Sequence, residues 1–142
     1  MDGSFALALG GGALLNQVAR ALKTVLEAQL APLDLTAQQA ALLMTAGHGS
    51  GRPAQVAAQI GTDTAGMTRL LDRLERKGLV RRQPHPADRR SVVIEVTAEG
   101  RAHLPGLPPI FGKVTRQLFD GFTATELEAL TAMLRRMERN LS

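Results

Sequence analysis

Most of the side chains in this sequence that could do chemistry are basic, and they lie close together. Between Arg69 and Arg90 there are eight Lys or Arg residues and three Asp or Glu residues, a net charge of +5, whereas the whole chain carries +4. The excess positive charge therefore lies in one short stretch. Such a region is the electrostatic footprint of a polyanion-binding protein, although a solvated charged surface is the alternative.

Residue types that support catalysis or metal binding are few and far apart. The three histidines, His48, His85 and His103, lack the His-x-x-x-His or Glu-x-x-His spacing of a metal site. The chain contains no cysteine, which excludes disulfides and thiolate ligands. The run Gly10–Gly12 has neither the strand nor the lysine of a phosphate-binding loop. We therefore expect no enzyme, no metal site and no cofactor.

The length of 142 residues is that of one domain, and it is sufficient for folding without disulfides. The first twelve residues contain no Lys or Arg, unlike the start of a signal peptide. No apolar run approaches the roughly 20 residues of a membrane span. We expect residues 1–142 to form a single soluble, cytoplasmic domain.

The basic stretch begins in a pair of short predicted helices. Pro53 suits the first turn of a helix that ends near Ile60. Asp63 or Thr64 is a plausible N-cap for a second helix, which Gly78 would terminate. Its apolar stripe comprises Met67, Leu70, Leu71 and Leu74. A short helix, a Gly-containing turn and a second helix form a helix-turn-helix pattern, here over about 53–77.

After Gly78 the pattern changes from helix to strand. Leu79–Gln83 and Ser91–Val96 are predicted strands, the second rich in β-branched residues. The loop Pro84–Arg90 joins them and ends in two arginines. Two strands with a basic loop directly after a helix-turn-helix indicate a wing, at about 79–96.

Further helices are predicted on both sides of this unit. Residues 1–12 are expected to be a loose arm, followed by a helix over 13–30 with one apolar stripe. Thr36 and Gln39 form a capping-box pattern at the start of the next helix. Thr97 would cap another, which Pro105, Pro108 and Pro109 should break before it resumes near residue 110.

The last helix starts at Thr123, where Glu126 completes a second capping-box pattern. Its apolar residues recur at three- and four-residue spacing, as in a heptad seam: Leu127, Leu130, Leu134, Met137 and Leu141. This seam could pack inside the subunit. A second copy is favoured, because helices at both ends of the chain carry long apolar stripes. We therefore predict dimerisation helices at 13–30 and 110–142 and a DNA-binding lobe at 36–100, in a mainly helical fold with a small β-wing.

Three segments resemble the MarR-type regulators, the multiple-antibiotic-resistance family. They are Leu70–Arg82 (LLDRLERKGLVRR), Pro86–Arg90 (PADRR) and Val96–Gly100 (VTAEG). The resemblance implies a winged helix-turn-helix homodimer whose terminal helices intertwine. It also implies a recognition helix in the major groove, a wing near the minor groove, and in many members a small, often aromatic, ligand. The resemblance further implies repression of transcription, which is the usual activity in this family.

The residues opposite the apolar stripe of the recognition helix are expected to face DNA. They are Thr64, Ala65, Thr68, Arg69 and Arg73. Arg69 is the first candidate for reading guanine, which an arginine can bind through two hydrogen bonds; contact with phosphate alone is the alternative. Gly66 should cost the helix about 0.5–1 kcal/mol and removes a hydroxyl that could contact a base.

Five wing residues are further candidates: Arg81, Arg82, Asp88, Arg89 and Arg90. Arg81 and Arg82 alternate along a strand, so only one of them should face DNA. We expect Arg90 to enter the minor groove, where negative potential is concentrated, and Asp88 to hold it. Asp88 could instead be a simple turn residue, and Arg89 could contact phosphate or the protein.

The sequence does not define an effector site. The candidates for polar contacts to an effector are Gln17, Arg20, His48 and His103. The competing function is a winged-helix module that contacts proteins without binding specific DNA. Salt distinguishes the two functions, because DNA binding weakens log-linearly as counterions are released.

Overall fold

The computed structural model describes residues 3–49 and 51–142, with side chains from residue 10 onward. The elements are α1 (Gly3–Leu30), α2 (Ala37–His48), α3 (Pro53–Ile60), α4 (Thr64–Arg76), β1 (Val80–Pro84), β2 (Val92–Val96), α5 (Ala98–His103), α6 (Leu107–Leu118) and α7 (Ala124–Leu141). Short 3-10 turns, Ala31–Leu33 and Leu104–Gly106, precede α2 and α6. The predicted class, mainly helical with a small β-wing, is confirmed. None of the described helices has the length and apolarity needed to cross a bilayer.

Side-chain caps set the starts of four helices. The predicted capping boxes are both present: Thr36 and Gln39 exchange two hydrogen bonds of 3.2 Å, and Thr123 and Glu126 exchange bonds of 3.0 and 3.1 Å. Asp63 caps α4 and Thr97 caps α5. Each cap supplies an acceptor to a backbone N–H that has no partner within the helix.

The prediction of a loose arm over residues 1–12 is wrong for residues 3–12, which form the start of α1; Met1 and Asp2 lie outside the described residues. The segment 5–9 is rich in Ala and Leu, which favour helix. Extending an existing helix needs no new nucleus. These gains outweigh the roughly 1 kcal/mol that each of Gly10–Gly12 costs.

The predicted proline break is displaced toward the N-terminus. Pro105 lies in the 3-10 turn, and α6 starts at Leu107 rather than near residue 110. Pro108 and Pro109 therefore occupy the first turn of α6, where a backbone N–H would have no acceptor within the helix. The prolines position the start of α6 instead of interrupting it.

One apolar core holds the helix-turn-helix against the wing. The predicted stripe of α4 is buried along its length, and Leu74 is fully buried. The other fully buried large side chains come from several elements: Leu30, Leu42, Leu43, Val56, Val80 and Leu107. Burial on this side fixes which face of α4 is directed to solvent.

The wing is an antiparallel pair in which Val80 lies opposite Val96 and Pro84 opposite Val92. Its base is fixed to the start of α5. The Thr97 N–H donates to the Leu79 carbonyl (3.1 Å), and the Thr97 hydroxyl donates to the Gly78 carbonyl (2.7 Å). Gly78 itself ends the turn after α4 with a φ of +74°, which confirms the predicted glycine stop.

The apolar stripe of α7 and the first part of the stripe of α1 remain open, whereas Leu26 and Leu30 at the end of α1 are buried. None of the residues of α7 is buried, and Leu134 and Met137 are 41% and 44% exposed. On α1, Leu14 and Val18 are 59% and 49% exposed. Packing within one chain therefore does not bury the predicted seam.

Gly100 tests how tightly the base of the wing is packed. A Cβ at this position would clash with the Leu79 carbonyl oxygen and lie 2.8 Å from Val96 Cγ1. We expect Gly100→Ala to lower the free energy of unfolding by about 1–3 kcal/mol. Urea denaturation followed by circular dichroism measures it, since the chain has no Trp or Tyr for fluorescence.

Gly106→Ala is the matched control, because a Cβ there would meet no atom within 4 Å. Its effect should stay within about 0.5 kcal/mol. Equal destabilisation by the two substitutions would contradict the packing described for Gly100.

Candidate nucleic-acid interface

The outer face of α4 carries the five predicted DNA-facing residues, and all of them are exposed: Thr64, Ala65, Thr68, Arg69 and Arg73. Arg69 and Arg73 are one turn apart, so they lie on the same face. They line an open cleft together with Gln38 of α2 and the α3–α4 turn. Within the described residues neither arginine forms an ion pair. Both guanidinium groups are therefore available to an anion.

The Thr68 hydroxyl is already engaged. It donates a 3.0 Å hydrogen bond to the carbonyl of Thr64, one turn earlier in α4. To donate to a base or a phosphate, Thr68 would first have to give up this bond. Its methyl group remains free for an apolar contact.

The structure gives a steric reason for glycine at position 66 that the sequence did not reveal. Its N–H donates to the Asp63 carboxylate at 2.7 Å, which is the N-cap bond of α4. A Cβ at Gly66 would clash with Thr62 Oγ1 and lie 3.0 Å from Asp63 Oδ1. Glycine therefore lets the cap fold closely onto the first turn. Its effect on base reading stays a prediction.

The guanidinium of Arg82, on β1, binds other groups of the protein. Its guanidinium lies 2.8 Å from the Asp72 carboxylate and 3.0 Å from that of Glu75, both on α4. It also donates to the Thr68 carbonyl at 3.3 Å, and the backbone N–H of Arg82 donates to Glu75 at 3.1 Å. We call this group the Arg82 clamp. It holds the first wing strand against the recognition helix.

The two carboxylates of the clamp favour the charged form of Arg82. Partial burial lowers the pKa of the Arg82 guanidinium, but its hydrogen bonds and ion pairs with Asp72 and Glu75 outweigh this, so its pKa lies above the usual range. The arginine is therefore charged at neutral pH. The clamp thus pairs two of the three acidic side chains in the basic stretch with one guanidinium, and the group as a whole keeps one negative charge.

Arg81 points to the opposite face of the wing from Arg82. It lies opposite Glu95 in the ladder and forms a 2.9 Å ion pair with it. The two side chains are 59% and 45% exposed. Such an exposed pair contributes only about 0.2–1 kcal/mol, and the arginine can exchange Glu95 for another partner at little cost.

The wing turn is organised by Asp88. Its carboxylate accepts hydrogen bonds from the Arg90 N–H (3.1 Å) and from the Ser91 hydroxyl (3.2 Å). Asp88 therefore acts on the backbone of Arg90, and the described ion pairs do not include one between Asp88 and the Arg90 guanidinium. This favours the turn-residue interpretation. The side chains of Arg89 and Arg90 are exposed at the tip.

The structure does not bring the four polar effector candidates together. Gln17 and Arg20 are exposed on α1, and His103 is half-buried at the end of α5. His48 ends α2, where Nδ1 lies 2.9 Å from the Met44 carbonyl oxygen. No hydrogen bond or ion pair of the described side chains joins any two of these residues.

An apolar groove between α1 and α6 was not predicted from the sequence. Val18, Leu22 and Val25 line one side, and Val114 and Leu118 line the other. The available signal was the four-residue spacing of Val114 and Leu118 after the prolines.

The Arg82 clamp predicts unequal effects for two neighbouring arginines. We expect Arg82→Met to lower the free energy of unfolding by about 1–2 kcal/mol, since it leaves two half-buried carboxylates without their partner. Arg81→Met removes the same charge from an exposed pair and should cost less than about 1 kcal/mol. Urea unfolding of both variants is the measurement. Arg82→Met being no more destabilising than Arg81→Met would refute the clamp.

Comparisons with known proteins agree with this geometry. The sequence model of the MarR family matches residues 35–92, which extend from α2 into β2. Among solved structures, a cysteine-to-serine mutant of MarR from E. coli, complexed with operator DNA, is 30% identical, with a TM-score of 0.79. The match covers 94% of this chain and 96% of that one.

Two further structures match over nearly the whole chain. BpsR of Bordetella bronchiseptica, whose DNA binding is regulated by 6-hydroxynicotinic acid, is 26% identical with a TM-score of 0.78; the match covers 89% of this chain and 91% of BpsR. CouR of Rhodococcus jostii RHA1, bound to p-coumaroyl-CoA, is 27% identical with a TM-score of 0.78, and the match covers 89% and 90%.

The helix-turn-helix, the wing and the flanking helices thus occur in the order and arrangement of these regulators. The family match at 35–92 and the 30% identity to MarR over almost the full length of both chains lead to one conclusion. The chain belongs to the MarR family of winged-helix transcriptional regulators.

Proposed function

We propose that this protein is a sequence-specific regulator that binds double-stranded DNA as a homodimer and represses transcription until a small ligand releases it. The observation that carries the proposal is the basic surface of the helix-turn-helix and wing. Arg69, Arg73, Arg89 and Arg90 are exposed there, and the clamp occupies the neighbouring Asp72 and Glu75. The surface thus presents cations whose acidic neighbours are already paired.

Each exposed arginine has a distinct role in this proposal. Arg69 reads a guanine in the major groove, while Arg73, one turn later, contacts phosphate. Arg90 enters the minor groove, and Arg89 contacts phosphate beside it. Arg82 is left out of the DNA-contacting set, because its guanidinium is used within the protein.

The second subunit covers the open apolar stripes. A helix of 18 residues with none buried needs a partner to contribute to folding. The exposed side chains Met133, Leu134 and Met137 of α7 and Leu14 and Val18 of α1 supply the apolar surface. Two copies related by a twofold axis then place two recognition helices in successive major grooves and read a pseudo-palindrome.

A small aromatic ligand is the proposed effector class. The support is the ligands of BpsR and CouR, 6-hydroxynicotinic acid and p-coumaroyl-CoA, each of which contains an aromatic ring. Such a ligand would act by favouring a dimer with a different spacing of recognition helices. Gln17, Arg20, His48 and His103 remain candidate polar contacts. The proposal requires no catalysis and no cofactor.

Selection from a random DNA pool, followed by salt titration of the selected fragment, tests this function. We expect a pseudo-palindromic fragment bound at nanomolar concentration, with a logarithmic affinity that falls steeply with the logarithm of salt concentration. Absence of enrichment, with only weak binding at low salt, would instead favour the alternative of a winged helix that contacts proteins.

Arg90→Ala should weaken binding to the selected fragment by about tenfold or more, through loss of the minor-groove contact. Fluorescence anisotropy measures this, and sedimentation verifies an unchanged oligomeric state. The control is Arg101→Ala, which removes a positive charge from another exposed position, on α5, and should have little effect. Unchanged affinity in Arg90→Ala would overturn the wing assignment.

A further inference from the structure

Lys77 joins two parts of the fold that lie far apart in the sequence. It follows the last residue of α4, and its ammonium group donates to the backbone carbonyl of Asp34 and, at 3.0 Å, to Oε1 of Gln39. Asp34 lies between the end of α1 and the start of α2, and Gln39 lies in the first turn of α2. We call the segment 31–39 the α1–α2 corner.

The acceptors in the corner are held firmly. Gln39 is the single buried polar residue in the described part of the chain, at 3% exposure. Its Oε1 accepts from the Thr36 N–H as well as from Lys77. Because the amide is buried and fixed by the capping box, Lys77 meets an acceptor whose position is already determined.

Backbone geometry fixes the other acceptor. Asp34 has a φ of +54°, the one positive φ of a non-glycine residue in the described chain, and its N–H donates to the Ala31 carbonyl at 3.0 Å. This left-handed residue turns the chain from α1 into α2. The Asp34 side chain is 97% exposed and its carboxylate is 3.7 Å from Lys77, so this ion pair adds little. The carbonyl and the Gln39 amide are the anchors.

We propose that Lys77 is a positioning residue that ties the C-terminal end of the recognition helix to the α1–α2 corner. The inference rests on the proposed function, because its consequence concerns DNA binding. Through this contact the orientation of α4 follows that of α1. A change in α1 then moves the recognition helix instead of being absorbed at the corner.

The test compares Lys77→Met with Arg76→Met. Arg76 is the preceding residue, is exposed, and also places a positive charge in the last turn of α4. The two variants therefore lose the same charge from the same helix end, and only one loses the tether. If the loss of positive charge acted only through general attraction to DNA or through the helix dipole, it would lower DNA affinity equally in both variants.

DNA binding is the first readout, on the fragment selected with the wild-type protein. We expect the affinity of Lys77→Met for this fragment to be lower than that of Arg76→Met by about fivefold or more. The slope of log affinity against log salt concentration should be the same for both variants. A slope smaller by about one would mean that Lys77 contacts phosphate, which overturns the proposal. Equal affinity of the two variants overturns it as well. If the wild type selects no DNA, the proposed function fails, and the second readout decides the tether.

The second readout needs neither DNA nor a dimer. Nitroxide labels are placed at Ala28→Cys on α1 and Ala65→Cys on α4, two exposed positions in a chain without cysteine, and labelled protein is diluted with unlabelled protein. Electron spin resonance then gives the distribution of distances within one chain. The tether predicts a narrow distribution in wild type and Arg76→Met and a broader or displaced one in Lys77→Met. An unchanged distribution in Lys77→Met overturns the proposal.

Discussion

The ionic contact between Arg82 and the pair Asp72 and Glu75 is the interaction on which the interface depends. A wing of two short strands has little core of its own, and a two-stranded hairpin is marginal in isolation. The clamp fixes β1 to the flank of α4, while Thr97 and Gly100 fix its base to α5. These contacts join the recognition helix and the wing into one surface. The same contact engages both acidic residues of α4 with Arg82, so neither carboxylate forms an ion pair with the exposed arginines of that surface.

The helices outside this surface impose a second constraint. α1 and α7 present apolar residues that the chain does not cover, and α6 meets α1 in an apolar groove. In the proposed homodimer these surfaces meet their counterparts across a twofold axis. The distance between the two recognition helices then depends on how α1 is oriented in the dimer, and Lys77 is the proposed connection between α1 and α4. Affinity for DNA and the response to a ligand would thus share one structural origin.

Local rules predicted much of this fold, because caps and turns are encoded by a few neighbouring residues. Thr36 with Gln39, Thr123 with Glu126, and Gly78 were each predicted from sequence and adopt the expected geometry. Partners distant in sequence were not predictable in this way. Alternation along β1 indicated that Arg81 and Arg82 face opposite ways, but nothing local identified Asp72 and Glu75 as the acceptors of Arg82. For the same reason the sequence did not identify Asp34 and Gln39 as the partners of Lys77. It predicted that Asp88 holds Arg90 or shapes the turn, but not which atoms of Arg90 and Ser91 its carboxylate contacts.

The central claim is that two copies of the basic surface bind one stretch of DNA. Hydroxyl-radical footprinting of the wild-type protein on its selected fragment tests it most directly. The account predicts two protected blocks related by a dyad, with centres about one helical turn apart, and wing protections in the minor groove outside them. A single asymmetric block, bound by one subunit, would contradict it.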